Sequence, residues 1–141
     1  MNESTNFQSS RWTSEELERV GNTRELQLAS FRPDGTLRPY TTMWVVRVGD
    51  GLYVRSADGP SRPWYRYATA IGAGRIRAGD VERNVTFGQA TADDQARIDS
   101  AYHTKYDAYG QSIVGHVVGP KAHDVTVKLV ADQSGTAAGM E

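Results

Sequence analysis

The sequence predicts an α+β domain that is mostly β, a small barrel of short strands decorated by helices. Three observations carry this prediction. Segments rich in Val, Tyr, Thr and Trp recur between tight turns such as Pro33-Asp34-Gly35, Gly49-Asp50-Gly51 and Ala78-Gly79-Asp80. Helical patterns are few, and each has its own start signal. The chain of 141 residues suits one domain with a real core, and it has no cysteine to staple a smaller one. The expected boundaries are a flexible N-terminus over 1–12, a single barrel domain over 13–131 and a disordered tail over 132–141.

The elements follow in order. Thr13-Ser14-Glu15-Glu16 reads as a capping box that opens a short helix over 14–20, and Gly21-Asn22 ends it. RELQLASF, residues 24–31, alternates well enough for a strand, and Arg32-Pro33-Asp34-Gly35 turns the chain. A long strand is expected over 37–48 and a second over 52–57, joined at Gly49-Asp50-Gly51 as a hairpin. Ser61 can cap a helix that opens near Pro63 and stops at Gly72 and Gly74. Strands over 74–78 and 81–89 flank Ala78-Gly79-Asp80. TADDQARIDSAYHTKYDAYG then reads as a helix with Ile98, Tyr102, Lys105 and Tyr109 near one face. A last strand is expected over 123–130.

Composition excludes several functions. The formal net charge is −1, which gives no basic field for nucleic acid or for an anionic membrane surface. No apolar run approaches a bilayer span, and MNESTNFQSSRW has no apolar stretch of the signal-peptide kind, so a cytoplasmic protein is expected. Without cysteine there is no thiolate metal site and no cysteine nucleophile. His103, His116 and His123 have no metal-ligand spacing, so no metal is expected. Neither a GxSxG elbow nor a phosphate-binding glycine loop is present. Thirteen of the sixteen basic residues are arginine, the side chain suited to bidentate recognition of phosphate and carboxylate.

Three groups of residues could carry chemistry. On the long strand, alternation puts Arg38, Tyr40, Thr42 and Trp44 on one face and Pro39, Thr41, Met43 and Val45 on the other. Large side chains on both faces mean that each meets a partner: the barrel interior on one side, a subunit interface or a bound ligand on the other. The second group lies in SADGPSRPWYRYA, residues 56–68. Ser56, Ser61 and Arg62 at a helix start make a candidate phosphate cradle, and Trp64 and Tyr65 could lie along a flat ring. The third is the late helix, where Tyr102, His103 and Lys105 are candidates for acid-base work. The pattern favours the plainer reading of the same helix as an amphipathic one, with tyrosines on the barrel and His103 and Lys105 in water.

The stretches TTMWVVRVGDGLYVRS and GPSRPWYRYA, followed by a Gly/Arg-rich strand pair, resemble the split β-barrel flavin family. That group includes pyridoxamine-phosphate oxidase-like and deazaflavin-dependent nitroreductase-like proteins, and within it the likeness is nearest to DUF2255. The resemblance covers residues 24–130 and implies a split β-barrel with Greek-key-like strands and peripheral helices. It implies a homodimer with FMN or the deazaflavin F420 in a groove between subunits, acting on a small-molecule substrate. It places Ser61 and Arg62 on the phosphate, Thr41 and Thr42 at the ring edge, and Arg38 as a second phosphate or ribityl contact. Tyr40, Ser56, Trp64 and Tyr65 complete the implied cofactor set. The chain departs from the oxidase pattern at Pro63, where a lysine is usual, and from the deazaflavin pattern at Tyr67, where an asparagine is. The leading expectation is therefore a flavin- or F420-dependent oxidoreductase. The alternative is a split barrel without redox cofactor, a non-redox biosynthetic enzyme or a small-molecule binder.

Overall fold

In the computed structural model, which describes residues 11–57 and 59–132, the Thr13 hydroxyl accepts from the Glu16 N–H at 3.0 Å. The Glu16 carboxylate accepts from the Thr13 N–H at 2.9 Å. This reciprocal box starts α1, Ser14–Asn22, which buries Leu17 and Val20 and runs through Gly21-Asn22 before stopping at Thr23. β1 follows over Leu26–Ser30. Gly35 then adopts φ +90°, open to glycine at little cost, and Phe31 bridges Leu37 across the turn.

The long strand expected over 37–48 is broken in two. β2 is Thr41–Met43 and β3 is Val46–Val48, with Trp44 and Val45 between them. β2 pairs with β1, whereas β3 pairs with β4, Gly51–Arg55. The true hairpin is therefore 46–55. The remaining strands are β5, Ala73–Ala78, β6, Val81–Gly88, and β7, Thr126–Ala131. All pairings are antiparallel and the order is β2-β1-β5-β6-β7-β4-β3. One short stretch thus supplies both edge strands. Seven flat strands would hold their edges roughly 29 Å apart, but the chain from Met43 to Val46 reaches at most about 11 Å. The sheet must curl until its edges meet, which makes it a split half-barrel. The turn at Trp44-Val45 also ends the strict alternation, because Val45 and Val46 are both buried.

α2 runs over Pro63–Ile71 with Arg62, not Ser61, at its N-cap and no side-chain cap bond. Pro63 fits the first turn because its missing N–H has no helical acceptor there, and Gly72 ends the helix at φ +80°. β5 approaches β1 closely at Gly74, where a Cβ would lie 2.0 Å from the Ala29 carbonyl oxygen. α3, Ala92–Tyr106, is capped by the Thr91 hydroxyl and buries Ile98, Tyr102 and Tyr106 at four-residue spacing. The helix tightens into a 3-10 turn over Asp107–Tyr109, so Tyr109 leaves the buried face that the sequence predicts for it. Two one-turn helices unforeseen in the sequence, α4 (Gln111–Val114) and α5 (Pro120–His123), carry the chain back to β7. The expected start of the last strand at His123 is therefore three residues early.

The core has two parts. Leu28, Leu52, Val54, Ile76, Val85 and Leu129 fill the barrel together with Leu17 and Val20 of α1. Val46, Tyr53, Ile98, Tyr102, Tyr106, Val114 and Val117 pack between the outside of β3–β4 and the later helices. Every residue of β4 is buried because each of its faces meets one of these clusters. Most of the expected N-terminal arm and tail, 1–10 and 133–141, lies outside the described residues. The parts that are described are held: Trp12 Nε1 donates to the Leu129 carbonyl at 2.9 Å, and the Asp132 N–H donates to Asn84 at 3.0 Å.

Candidate functional site

Pro63 and Trp64, on the first turn of α2, stand beside the β2 strand and separate two cavities. The first, about 520 Å³, is lined by Thr41, Thr42, Trp44, Arg62, Trp64 and Ile113, and equally by Glu25, Arg55 and Val117. The second, about 360 Å³, shares Thr41, Pro63 and Trp64 with it and adds Ser30, Arg32, Arg38 and Tyr67. The barrel closure is what makes the first cavity. Curling the sheet brings β2 against the start of α2, twenty residues later in sequence. Two threonines, two tryptophans, two arginines and the Glu25 carboxylate then border one space, a lining that suits a flat aromatic molecule with its anionic end beside the arginines. Trp44 is fixed there by stacking on Tyr106, ring centroids 4.0 Å apart and planes 3° from parallel.

The sequence-predicted residues divide clearly by place. Thr41, Thr42, Arg62 and Trp64 come together at the first cavity. Arg38 lies in the second. Tyr40 lies beneath the Arg77 guanidinium, 4.6 Å from the ring centroid, and lines neither. Ser56 is buried and donates to the Gly59 carbonyl, so its hydroxyl holds a turn. Ser61 is exposed and lines neither cavity. Tyr65 meets Trp64 edge-on and donates from its hydroxyl to the Asp124 carbonyl at 3.2 Å, which ties α2 to the end of α5.

The late-helix candidates do not converge. Tyr102 is fully buried, and burial pushes its phenol well above the ordinary range. His103 is exposed and pairs with Asp107 one turn on, at 2.8 Å. Lys105 faces a separate groove between α1, β3 and α3 and donates to the Val45 carbonyl at 2.6 Å. Burial lowers its amine to about 8. Because this is below the ordinary value of 10.5, the unfolded chain holds the proton more tightly than the folded one. Stability is expected to rise from about pH 8 to about pH 10.5, and Lys105→Met should remove that rise. Denaturation midpoints at pH 7.5 and pH 10 for both proteins check this; equal slopes would contradict it.

Sequence reasoning missed Arg55. Its side chain is 0% exposed, and the residue is among those that line the first cavity. Nε donates to Thr126 Oγ1 at 2.8 Å, Nη1 to Asp99 Oδ1 at 2.5 Å and to the Val117 carbonyl at 2.7 Å, and Nη2 to Gln95 Oε1 at 2.7 Å. Asp99 also meets His123 Nε2 at 2.9 Å. Burial alone would raise the Asp99 carboxyl, but the bonds from His123 and Arg55, with the Arg55 charge, outweigh it and hold the group below its ordinary value. Its contribution to stability is present above about pH 4 and lost as the pH falls through the lowered folded value. The only local sign was an arginine ending a strand of apolar residues. Among the described residues no three His, Asp or Glu side chains are grouped to hold a metal ion, and no helix is long and apolar enough to cross a membrane.

Comparison with known proteins bears on the fold and the family. A family model described as "Uncharacterized protein conserved in bacteria (DUF2255)" matches residues 16–129. No curated protein matches the chain. Among solved structures, a putative pyridoxamine 5'-phosphate oxidase from Listeria innocua superposes with TM-score 0.57 at 17% identity, covering 83% of this chain and 90% of that one. The heme storage protein HutZ from Vibrio cholerae gives TM-score 0.56 at 13% identity, over 86% and 91%. An FAD-binding protein from Mesorhizobium loti gives 0.50 at 14% identity, also over 86% and 91%. At these identities the likeness is one of fold, the mostly-β split barrel derived above from the edge strands.

Proposed function

Since the chain belongs to the DUF2255 family and folds as a split barrel, we propose that it is a flavin-type oxidoreductase that acts on a small organic molecule in the cytoplasm. The observation that supports this reading most is the convergence of Thr41, Thr42, Trp44, Arg62 and Trp64 on one cavity of about 520 Å³. The residues present fit such a group. Arg62 offers a guanidinium fork to the phosphate of FMN or F420. Thr41 and Thr42, which border the same cavity, would lie by the polar edge of the ring. Trp44 and Trp64 would supply flat apolar surface against the ring. When bound, the cofactor supplies hydride chemistry that side chains do not. The protein's task is then to bind and orient, which agrees with the separation of Tyr102, His103 and Lys105 from the cavity.

A homodimer is part of the proposal. The cavity is bounded by Trp44 and by Ile113, which is 50% exposed, and Tyr109 beside Trp44 is 43% exposed. A second copy covering this face would close the cavity over a flat ligand. The protein should elute and scatter as a dimer at micromolar concentration; a clean monomer would contradict the dimer. The cofactor reading is tested by incubating the protein with FMN or F420, desalting it and recording the visible spectrum. A retained flavin or deazaflavin band in stoichiometric amount is expected. A colourless protein after both incubations would overturn it.

A further inference from the structure

The groove between α1, β3 and α3, about 560 Å³, lies apart from the other two cavities. Leu17, Val46, Val48 and Ala101 give it apolar surface. Its charged groups are Glu18 from α1, Arg47 from β3, and Arg97 and Lys105 from α3, three positive against one negative. Arg97, Ala101 and Lys105 follow at four-residue spacing, so α3 presents them as one stripe about 12 Å long. Arg47 enters from β3 with its stem held. The Gly21 backbone lies so close that a Cβ there would stand 3.0 Å from Arg47 Cβ, and Arg47 Nε donates to the Gly49 carbonyl at 2.8 Å. Among the described residues neither Arg47 nor Arg97 forms an ion pair, so both are available to an anionic ligand.

Lys105 differs from these surface charges. It is half-buried, its Nζ donates to the Val45 carbonyl at 2.6 Å, and it lies 5.1 Å from the Tyr106 ring centroid. Among the described residues no carboxylate pairs with it. Burial lowers the amine to about 8, so at pH 7 about a tenth of it is neutral, against roughly three parts in ten thousand of an ordinary lysine. A neutral amine donates one N–H to the Val45 carbonyl and keeps its lone pair for a carbon electrophile.

We propose that this groove is a covalent binding site for a small oxo acid, an aldehyde or ketone bearing a carboxylate, which Lys105 holds as an imine. Lys105 Nζ adds to the carbonyl carbon, and one amine proton passes to the carbonyl oxygen to give a carbinolamine. The new hydroxyl leaves as water with the second amine proton, and a C=N bond remains. Nothing is oxidised or reduced. Arg47 and Arg97 hold the carboxylate, and the apolar surface of Leu17, Val46 and Val48 takes the carbon skeleton. The site is separate from the cofactor cavity and does not depend on the cofactor reading.

The probe is 4-formylbenzoate, with benzaldehyde as its uncharged counterpart. The protein is incubated with each, trapped with cyanoborohydride and mapped by peptide mass spectrometry, with Lys121 and Lys128, the other two lysines, as internal controls. At pH 7, 4-formylbenzoate should label Lys105 at least about tenfold faster than either control. The Lys105 rate should level off above about pH 8 while the other two still climb. Arg47→Gln with Arg97→Gln should raise the half-saturating concentration of 4-formylbenzoate at least about fivefold and leave that of benzaldehyde unchanged. Both arginines are exposed, so the variant should keep the fold; the wild-type comparison of the two aldehydes decides the same point without it. Equal labelling of the three lysines would overturn the covalent site. Fast labelling of Lys105 by both aldehydes at the same concentrations, unmoved by the arginine changes, would overturn the oxo-acid assignment.

Discussion

Asp99→Ala is expected to lower the unfolding free energy by about 3–5 kcal/mol, the cost of leaving a buried charge without its partner. The Arg55 guanidinium is 0% exposed and cannot turn to water when the carboxylate is removed. Among the described residues its remaining hydrogen-bond acceptors would be neutral: Thr126 Oγ1, Gln95 Oε1 and the Gln95 and Val117 carbonyls. These partners sit on β7, on α3 and in the loop after α4, so the loss loosens the joint where the helices meet the sheet. Urea denaturation should show a lower midpoint at unchanged slope. Arg55→Met with Asp99→Leu should recover much of the loss, because two apolar side chains can replace a buried ion pair. A change within about 0.5 kcal/mol for Asp99→Ala would mean that the cluster does not hold the helices to the barrel.

The difference between Arg55 and the residues that were foreseen shows what a sequence pattern carries. The Thr13–Glu16 box, the glycine turns at 35, 49 and 79, and the Pro63 start of α2 are local chemistry, and they are read where they occur. The break at Trp44-Val45 is not local. Nothing in TTMWVVRV says that its two halves pair at opposite edges of one sheet, since that follows only from closing the barrel. Arg55 is hidden for the same reason. Alternation along Gly51–Arg55 puts it on the outer face with Tyr53, where a strand of an uncovered barrel would meet water. It is buried only because α3 and the segment after α4 cover that face. On α3, periodicity found Ile98 and Tyr102 but chose Tyr109 over Tyr106, because the tightening at Asp107 is not written in the spacing. Ser56 and Ser61 share the residue type of a phosphate cradle with Arg62, but one serves a turn and the other faces water.

Arg62→Ala is expected to weaken FMN or F420 binding by about 1.5–3 kcal/mol, the usual contribution of a hydrogen bond to a charged group. Arg62 lines the first cavity at the N-cap of α2, where helix N–H groups also favour an anion. Arg62→Lys should recover only part of the affinity, because an ammonium cannot present the planar fork. Arg62 is an exposed residue, so the melting temperature of the cofactor-free protein should fall by no more than the loss of a surface contact. Riboflavin, which lacks the phosphate, should bind the wild type and Arg62→Ala equally. An equal loss for riboflavin would place the arginine at the ring. Unchanged FMN and F420 affinity with a lowered melting point would make Arg62 a structural residue.

The most direct test of the cofactor site is a titration of the wild-type protein with FMN and with F420, read by tryptophan fluorescence. Trp44 and Trp64 both line the proposed cavity, so a bound isoalloxazine or deazaflavin ring should quench them strongly. Saturable quenching by at least one of the two, at one ligand per chain, is the expected result. Strictly linear, non-saturating quenching by both would mean that the cavity between β2 and α2 does not hold a flavin-type cofactor.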